Sequence, residues 1–255
     1  MIKSNKLFLK WVILTGAISS LSFCAFAEET NVNSEANSKL LSHFSAGLEL
    51  QTKYVWRGIE YGTAPTIFPT LSYSIEGFSV YGMGGYAWNG SHAEVDMGVS
   101  YSRWGITLGI NDYYYPTSVG ETDHYFNYKG KETGHWFEGT LTYSPEIIPV
   151  WATLSTYFAG ADKRPDSGKQ AWSTYAEIGG SYDFKYDMHI SLAVGAALNK
   201  SFYNDYEHGF SVCNVNLRYG KDFTAGAFTF PLGVSFVINP FKNKTYFSFN
   251  GGVYF

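Results

Sequence analysis

Apolar and polar residues alternate along most of this chain. Val95, Met97, Val99 and Tyr101 are interleaved with Glu94, Asp96, Gly98, Ser100 and Ser102, and Ile190, Leu192, Val194, Ala196 and Leu198 with His189, Ser191, Ala193, Gly195 and Ala197. Phe228, Phe230, Leu232, Val234, Phe236 and Ile238 repeat the pattern. A two-residue period sends alternate side chains to opposite faces of a strand, so each segment has one greasy face and one polar or small one. The pattern predicts twelve strands, at about 42–56, 66–75, 78–88, 93–103, 106–115, 135–143, 150–159, 171–182, 188–198, 209–219, 227–238 and 244–255. Clean alternation breaks between Val212 and Leu217, which predicts a bulge that switches faces there.

The connections alternate as well. Glu76-Gly77 and Trp104-Gly105 read as two-residue turns, and 144–149, 183–187 and 220–226 are also short. The other set holds the longer polar loops, 57–65, 116–134, 161–170 and 199–208, with 89–92 and 239–243 as its shorter members. Short turns at one end, long loops at the other and an even strand count describe a membrane barrel. Past residue 27 nothing approaches the ~20 continuous apolar residues of a spanning helix. In hydrocarbon each backbone group needs an internal partner, so the first strand should pair with the last. The predicted fold is all-β, a closed antiparallel up-and-down transmembrane β-barrel of about twelve strands.

The ends set the expected organisation: a signal peptide over residues 1–27, a flexible periplasmic lead-in over 28–41 and the barrel over 42–255. Lys3, Lys6 and Lys10 precede the apolar run from Trp11 to Phe26, and Ala25-Phe26-Ala27 offers the small residues a signal peptidase reads. Phe23 before Cys24 is a poor lipidation context. Export and strand crossing together point to the outer membrane of a Gram-negative bacterium. The last strand ends at Phe255. That ending resembles the closing strand of outer-membrane barrels, which implies the barrel-assembly machinery and outer-membrane lipid as partners.

Charge and cysteine content narrow the picture further. Removing the three signal lysines from 18 basic residues leaves 15 against 22 acidic ones, a net charge of −7 that weighs against nucleic acid as a partner. Cys24 leaves with the signal, so Cys213 stands alone and is expected to be a buried, inert thiol. Trp56, Trp88, Trp136 and Trp172 fall at the loop ends of the segments and Trp104 and Trp151 at the turn ends, as two interfacial belts would require. Tyr113, Tyr114, Tyr115 and Tyr157 would extend one belt, and Tyr73, Tyr101, Tyr143, Tyr182 and Tyr219 the other.

Tyr54-Val-Trp-Arg-Gly-Ile59, the Glu94-Val-Asp96 pair with Tyr101, and Asp112-Tyr-Tyr-Tyr-Pro116 followed by Phe137-Glu138 resemble the TorF-like putative porin family of small outer-membrane proteins. The blocks lie between Tyr54 and Glu138, while length, signal and terminal Phe255 extend the likeness to the whole chain. The resemblance implies a barrel that passes small solutes, without specifying which.

Parity places Glu49, Lys53, Arg57, Glu94, Asp96, Glu138 and Glu177 inward as pore-lining candidates. They could select solutes by sign, or pair with one another and fill the barrel. Arg57 is expected where the first strand enters its loop, as an anion contact or a loop pin. The longest loop supplies Asp123, Tyr125, Lys129 and Lys131 as constriction candidates, if it folds inward rather than making external contacts. Asp112, Asp123, His124, His135, Asp162, Asp166, Asp205 and His208 are placed where a barrel hydrolase or acyltransferase would keep its site, yet no serine-nucleophile motif or metal-ligand spacing accompanies them. The reading at this level is a porin-like, mildly cation-preferring channel for small hydrophilic solutes, with no cofactor and no metal. A loop-binding or structural barrel without an open pore is the alternative.

Overall fold

A computed structural model of the chain describes residues 42–116, 124–130 and 132–255. The expected signal peptide and lead-in, together with Asp123 and Lys131, lie outside the described residues. The strands are β1 (Phe44–Gln51), β2 (Tyr54–Trp56), β3 (Ile59–Tyr61), β4 (Thr66–Ile75), β5 (Phe78–Ala87), β6 (Ala93–Arg103), β7 (Ile106–Tyr114), β8 (His135–Tyr143), β9 (Val150–Gly160), β10 (Thr174–Asp183), β11 (Met188–Ala197), β12 (Ser211–Ala225), β13 (Phe228–Asn239) and β14 (Lys244–Tyr254). Twelve of them form a closed antiparallel barrel in which β4 to β14 follow in chain order and β1 joins β14 to β4. β2 and β3 pair only with each other.

Closure runs through the register Gly47↔Tyr254 to Gln51↔Asn250 and is completed by reciprocal backbone bonds between Ala46 and Phe255. Gly47 leaves the space that the Tyr254 ring fills, since a Cβ there would stand 2.3 Å from that ring. The outward parity is apolar and exposed, as at Leu71, Leu108, Ile178, Leu232 and Phe249. That is the surface a hydrocarbon-facing band requires. Among the described residues no helix is long and apolar enough to span a bilayer.

The bulge appears where alternation broke. Gly195 opposes Asn214 and Ala196 opposes Val212, so Cys213 is the extra residue and is itself fully buried. One short connection is shorter than expected. β12 continues to Ala225, so 220–225 belong to the strand and the turn is Gly226-Ala227.

Two expectations are corrected. The first strand stops at Gln51 instead of continuing to Trp56, and the next residues leave the wall. The tryptophan belts are also partial. Trp88, Trp104 and Trp172 are exposed, whereas Trp151 is 2% exposed and, like Trp56 and Trp136, packs within the lumen. Parity, not nearness to a segment end, decides which face an aromatic takes. The turn-side tyrosines Tyr101, Tyr143, Tyr182 and Tyr219 do face outward.

Candidate functional site

The β2–β3 hairpin touches strands all around the barrel, which places it inside the lumen. Tyr54 packs edge-on against Phe68 of β4, Trp56 lies 5.8 Å from Tyr113 of β7, and the Gly58 carbonyl accepts a 2.9 Å hydrogen bond from Asn239 of β13. Its tip is a two-residue turn, with Trp56 opposite Ile59 and both Arg57 (φ 50°) and Gly58 (φ 77°) left-handed. Such a turn matches strand twist and favours glycine at its second position. Here glycine is also the residue that fits, because a Cβ on Gly58 would stand 1.8 Å from the Cys213 carbonyl oxygen. The hairpin tip therefore rests on the bulge.

Arg57 is buried and tied to the opposite wall. Its Nη1 and Nη2 donate to the two carboxylate oxygens of Glu138 at 2.5 and 3.1 Å, Nη2 also donates to Ser155 Oγ at 3.0 Å, and Nη1 donates to the Tyr203 hydroxyl. The guanidinium lies 4.2 Å from the Trp56 ring and 4.7 Å from that of Tyr175. Bidentate pairing and ring stacking together are what an arginine fork does best. Glu138 is fully buried and accepts a further 3.0 Å bond from Tyr113. The expectation that Arg57 sits at the mouth of the first loop is corrected: the hairpin carries it into the interior, where it pins β2–β3 to β8 and β9.

Of the other inward candidates, Glu49 accepts from Gln51 and Tyr254, and Glu177 accepts from Trp151, Tyr175 and Asn214 at 3.3, 2.6 and 3.1 Å. Lys53 forms an ion pair with Glu60 within the hairpin. Glu94 bonds His92 at 3.1 Å, and Asp96 is 3% exposed. Sequence reasoning missed Glu60 and Arg218. Glu60 was hidden because the chain around it read as a loop, and Arg218 because its strand carries the bulge. On the turn side remains a small cavity of about 70 Å³ whose wall is mostly apolar, with Tyr219, Leu232 and Val234 lining it beside Glu49, Arg218 and Asn250. That is room for a handful of waters.

The described part of the longest loop does not cross the lumen. Asp112 and His135 have outward parity, opposite to Tyr113 and Trp136, and His135 is covered by Tyr125 and Tyr128 at ring distances of 5.1 and 4.3 Å. His135 faces an acceptor at each ring nitrogen: an Asp112 carboxylate oxygen 2.8 Å from Nδ1 and the Tyr125 carbonyl oxygen 2.5 Å from Nε2. Tyr125, expected as a constriction residue, thus lies on the outer side of the wall, and Lys129 is exposed in a turn whose carbonyl accepts from Glu132 and Thr133. Asp162 holds its own loop by accepting from Ser173 N–H and hydroxyl at 2.9 and 2.6 Å and from Gln170 at 3.2 Å. Burial raises its carboxyl above the usual range, against the lowering pull of those bonds. Asp205 pairs with Lys242 at 2.6 Å. The described rim acids with named partners thus serve loop structure. Among the described residues no group of three or more His, Cys, Asp or Glu side chains is arranged to hold a metal.

No protein-family model and no curated protein matches the chain. Among solved structures it is similar to the KdgM porin at 9% identity, over 83% of this chain and 98% of that one, with a TM-score of 0.47. It is similar to the NanC porin at 10% identity, over 82% and 98%, with a TM-score of 0.49. A triple mutant of the Rhodopseudomonas blastica porin aligns at 15% identity over 74% of this chain and 55% of that one, with a TM-score of 0.37. What the geometry itself establishes is a closed twelve-stranded antiparallel barrel whose lumen holds a hairpin of the same chain.

Proposed function

We propose that this chain is an outer-membrane channel for small hydrophilic solutes, closed by its own β2–β3 hairpin, which acts as the gate. The observation that carries the reading is the buried Arg57–Glu138 pair, which ties the hairpin to a wall that is complete without it. A wall of twelve strands is wider than one that its own side chains fill, so an inserted element is needed to seal it. The polar lining and the resemblance of the Tyr54–Ile59 block to the TorF-like putative porins support the same reading. Among the described residues the inward carboxylates Glu49, Glu60, Glu94, Asp96, Glu138, Glu177 and Asp222 outnumber the inward cations Lys53, Arg57 and Arg218, which favours cations. The reading calls for no cofactor and no covalent chemistry.

The test is a planar bilayer under a salt gradient. Wild-type protein should open infrequently, with a reversal potential on the cation side, and a variant with a freed hairpin should open far more often. No conductance from either protein would leave a sealed barrel whose loops make external contacts. An anion-side reversal potential would remove the cation preference.

A further inference from the structure

Within that proposed path we infer a binding site for an ammonium-type cation, formed by Tyr54, Tyr61, His92 and Tyr115 around the carboxylates of Glu94 and Asp96. The inference rests on the reading of the lumen as a solute path and names the chemistry one segment of it recognises. Glu94 and Asp96 lie two residues apart on β6 and so share the inward face, where they are 1% and 3% exposed. Glu94 Oε1 and Asp96 Oδ1 are buried without a hydrogen-bond partner among the described residues. The basic group bonded to the pair is His92, at Glu94 Oε2, while Arg57 is engaged by Glu138 through both terminal nitrogens. Two carboxylates thus face at most one imidazolium. Holding both carboxylates ionised in this buried place is costly, and a bound cation would offset that cost.

The surrounding rings select the kind of cation. Tyr61 and Tyr115 present parallel faces, 7° apart in plane with centroids separated by 6.3 Å, and His92 lies 5.4 and 5.9 Å from them. Tyr54 closes a further side at 5.5 Å from His92. The Tyr54, Tyr61 and Tyr115 hydroxyls are all within electrostatic reach of both carboxylates. Ring faces around an acidic floor attract a weakly hydrated organic cation. A chelated metal is disfavoured, because among the described residues no three His, Cys, Asp or Glu side chains are arranged to hold one. Gly85 makes the arrangement available: it opposes Glu94 across β5–β6, and a Cβ on it would lie 2.6 Å from Glu94 Oε1.

The experiment titrates the full-length folded protein in detergent with tetramethylammonium and methylammonium chlorides against sodium chloride at equal ionic strength, reading the thermal unfolding midpoint. The wild type should gain a saturable upward shift from an ammonium salt beyond that of sodium. The shift should be lost in Glu94→Gln/Asp96→Asn and weakened in Tyr115→Leu, and retained in the exposed-site control Glu207→Gln. Absence of an ammonium-specific shift in the wild type overturns the inference even if the double variant fails to fold, and so does a shift that survives in a folded double variant. Binding is read without conductance, so a saturable shift in a protein that never conducts would sink the channel and keep the site.

Discussion

Replacing Arg57 with alanine should loosen the lumen hairpin while leaving the barrel wall intact. The substitution strands Glu138, which is fully buried and retains the Tyr113 hydroxyl at 3.0 Å as its partner. Breaking a buried ion pair from one side costs about 3–5 kcal/mol, most of it the penalty of the remaining charge. The Asn239 bond to the Gly58 carbonyl and the ring contacts of Tyr54 and Trp56 are present in both proteins and so offset none of that cost. Glu138→Gln in the Arg57→Ala background removes the stranded charge, so the double variant should recover about 2 kcal/mol relative to Arg57→Ala alone. Urea unfolding in detergent micelles, followed by tryptophan fluorescence, measures the cycle, and single-channel recording measures open probability. Single-variant effects that add to within about 0.5 kcal/mol would refute the latch, as would an Arg57→Ala protein as stable and as closed as the wild type.

Gly58→Val should be more disruptive than its size suggests, because it places a branched side chain at φ 77° with its Cβ in the Cys213 carbonyl. A loss of at least about 2 kcal/mol in the same unfolding assay is expected. Cys213 should resist maleimide labelling in folded protein and react fully after denaturation, and rapid labelling of the native state would contradict its burial beneath the hairpin tip. Asp162→Ala removes the acceptor of three hydrogen bonds and should open the β9–β10 loop to protease between Lys163 and Lys169, with barrel stability changed little. An unchanged digestion pattern would show that the loop is held by other contacts.

Periodicity was sufficient for the wall. Alternation such as that of Val95 to Tyr101 is a local property of the backbone, and the hydrocarbon requirement for internal pairing then leaves a closed barrel as the consistent outcome. The Cys213 bulge was legible for the same reason, as a slip in phase. The inward parity of Glu94, Asp96, Glu138 and Glu177 followed without coordinates. The interior was not legible, because who meets whom across a lumen depends on contacts between residues far apart in the chain. Arg57 and Glu138 are separated by 81 positions, and nothing local in Tyr54–Ile59 distinguishes a strand extension from a hairpin that turns inward. Trp56, Trp136 and Trp151 read as belt residues on the strength of their positions near segment ends, yet each faces the lumen. The longest loop had the composition for either side of the wall, and the outward pair Asp112–His135 drew its described part to the outside. Local pattern settles the faces of a strand, while the packing of a barrel's interior is settled by where the closed wall brings distant side chains together.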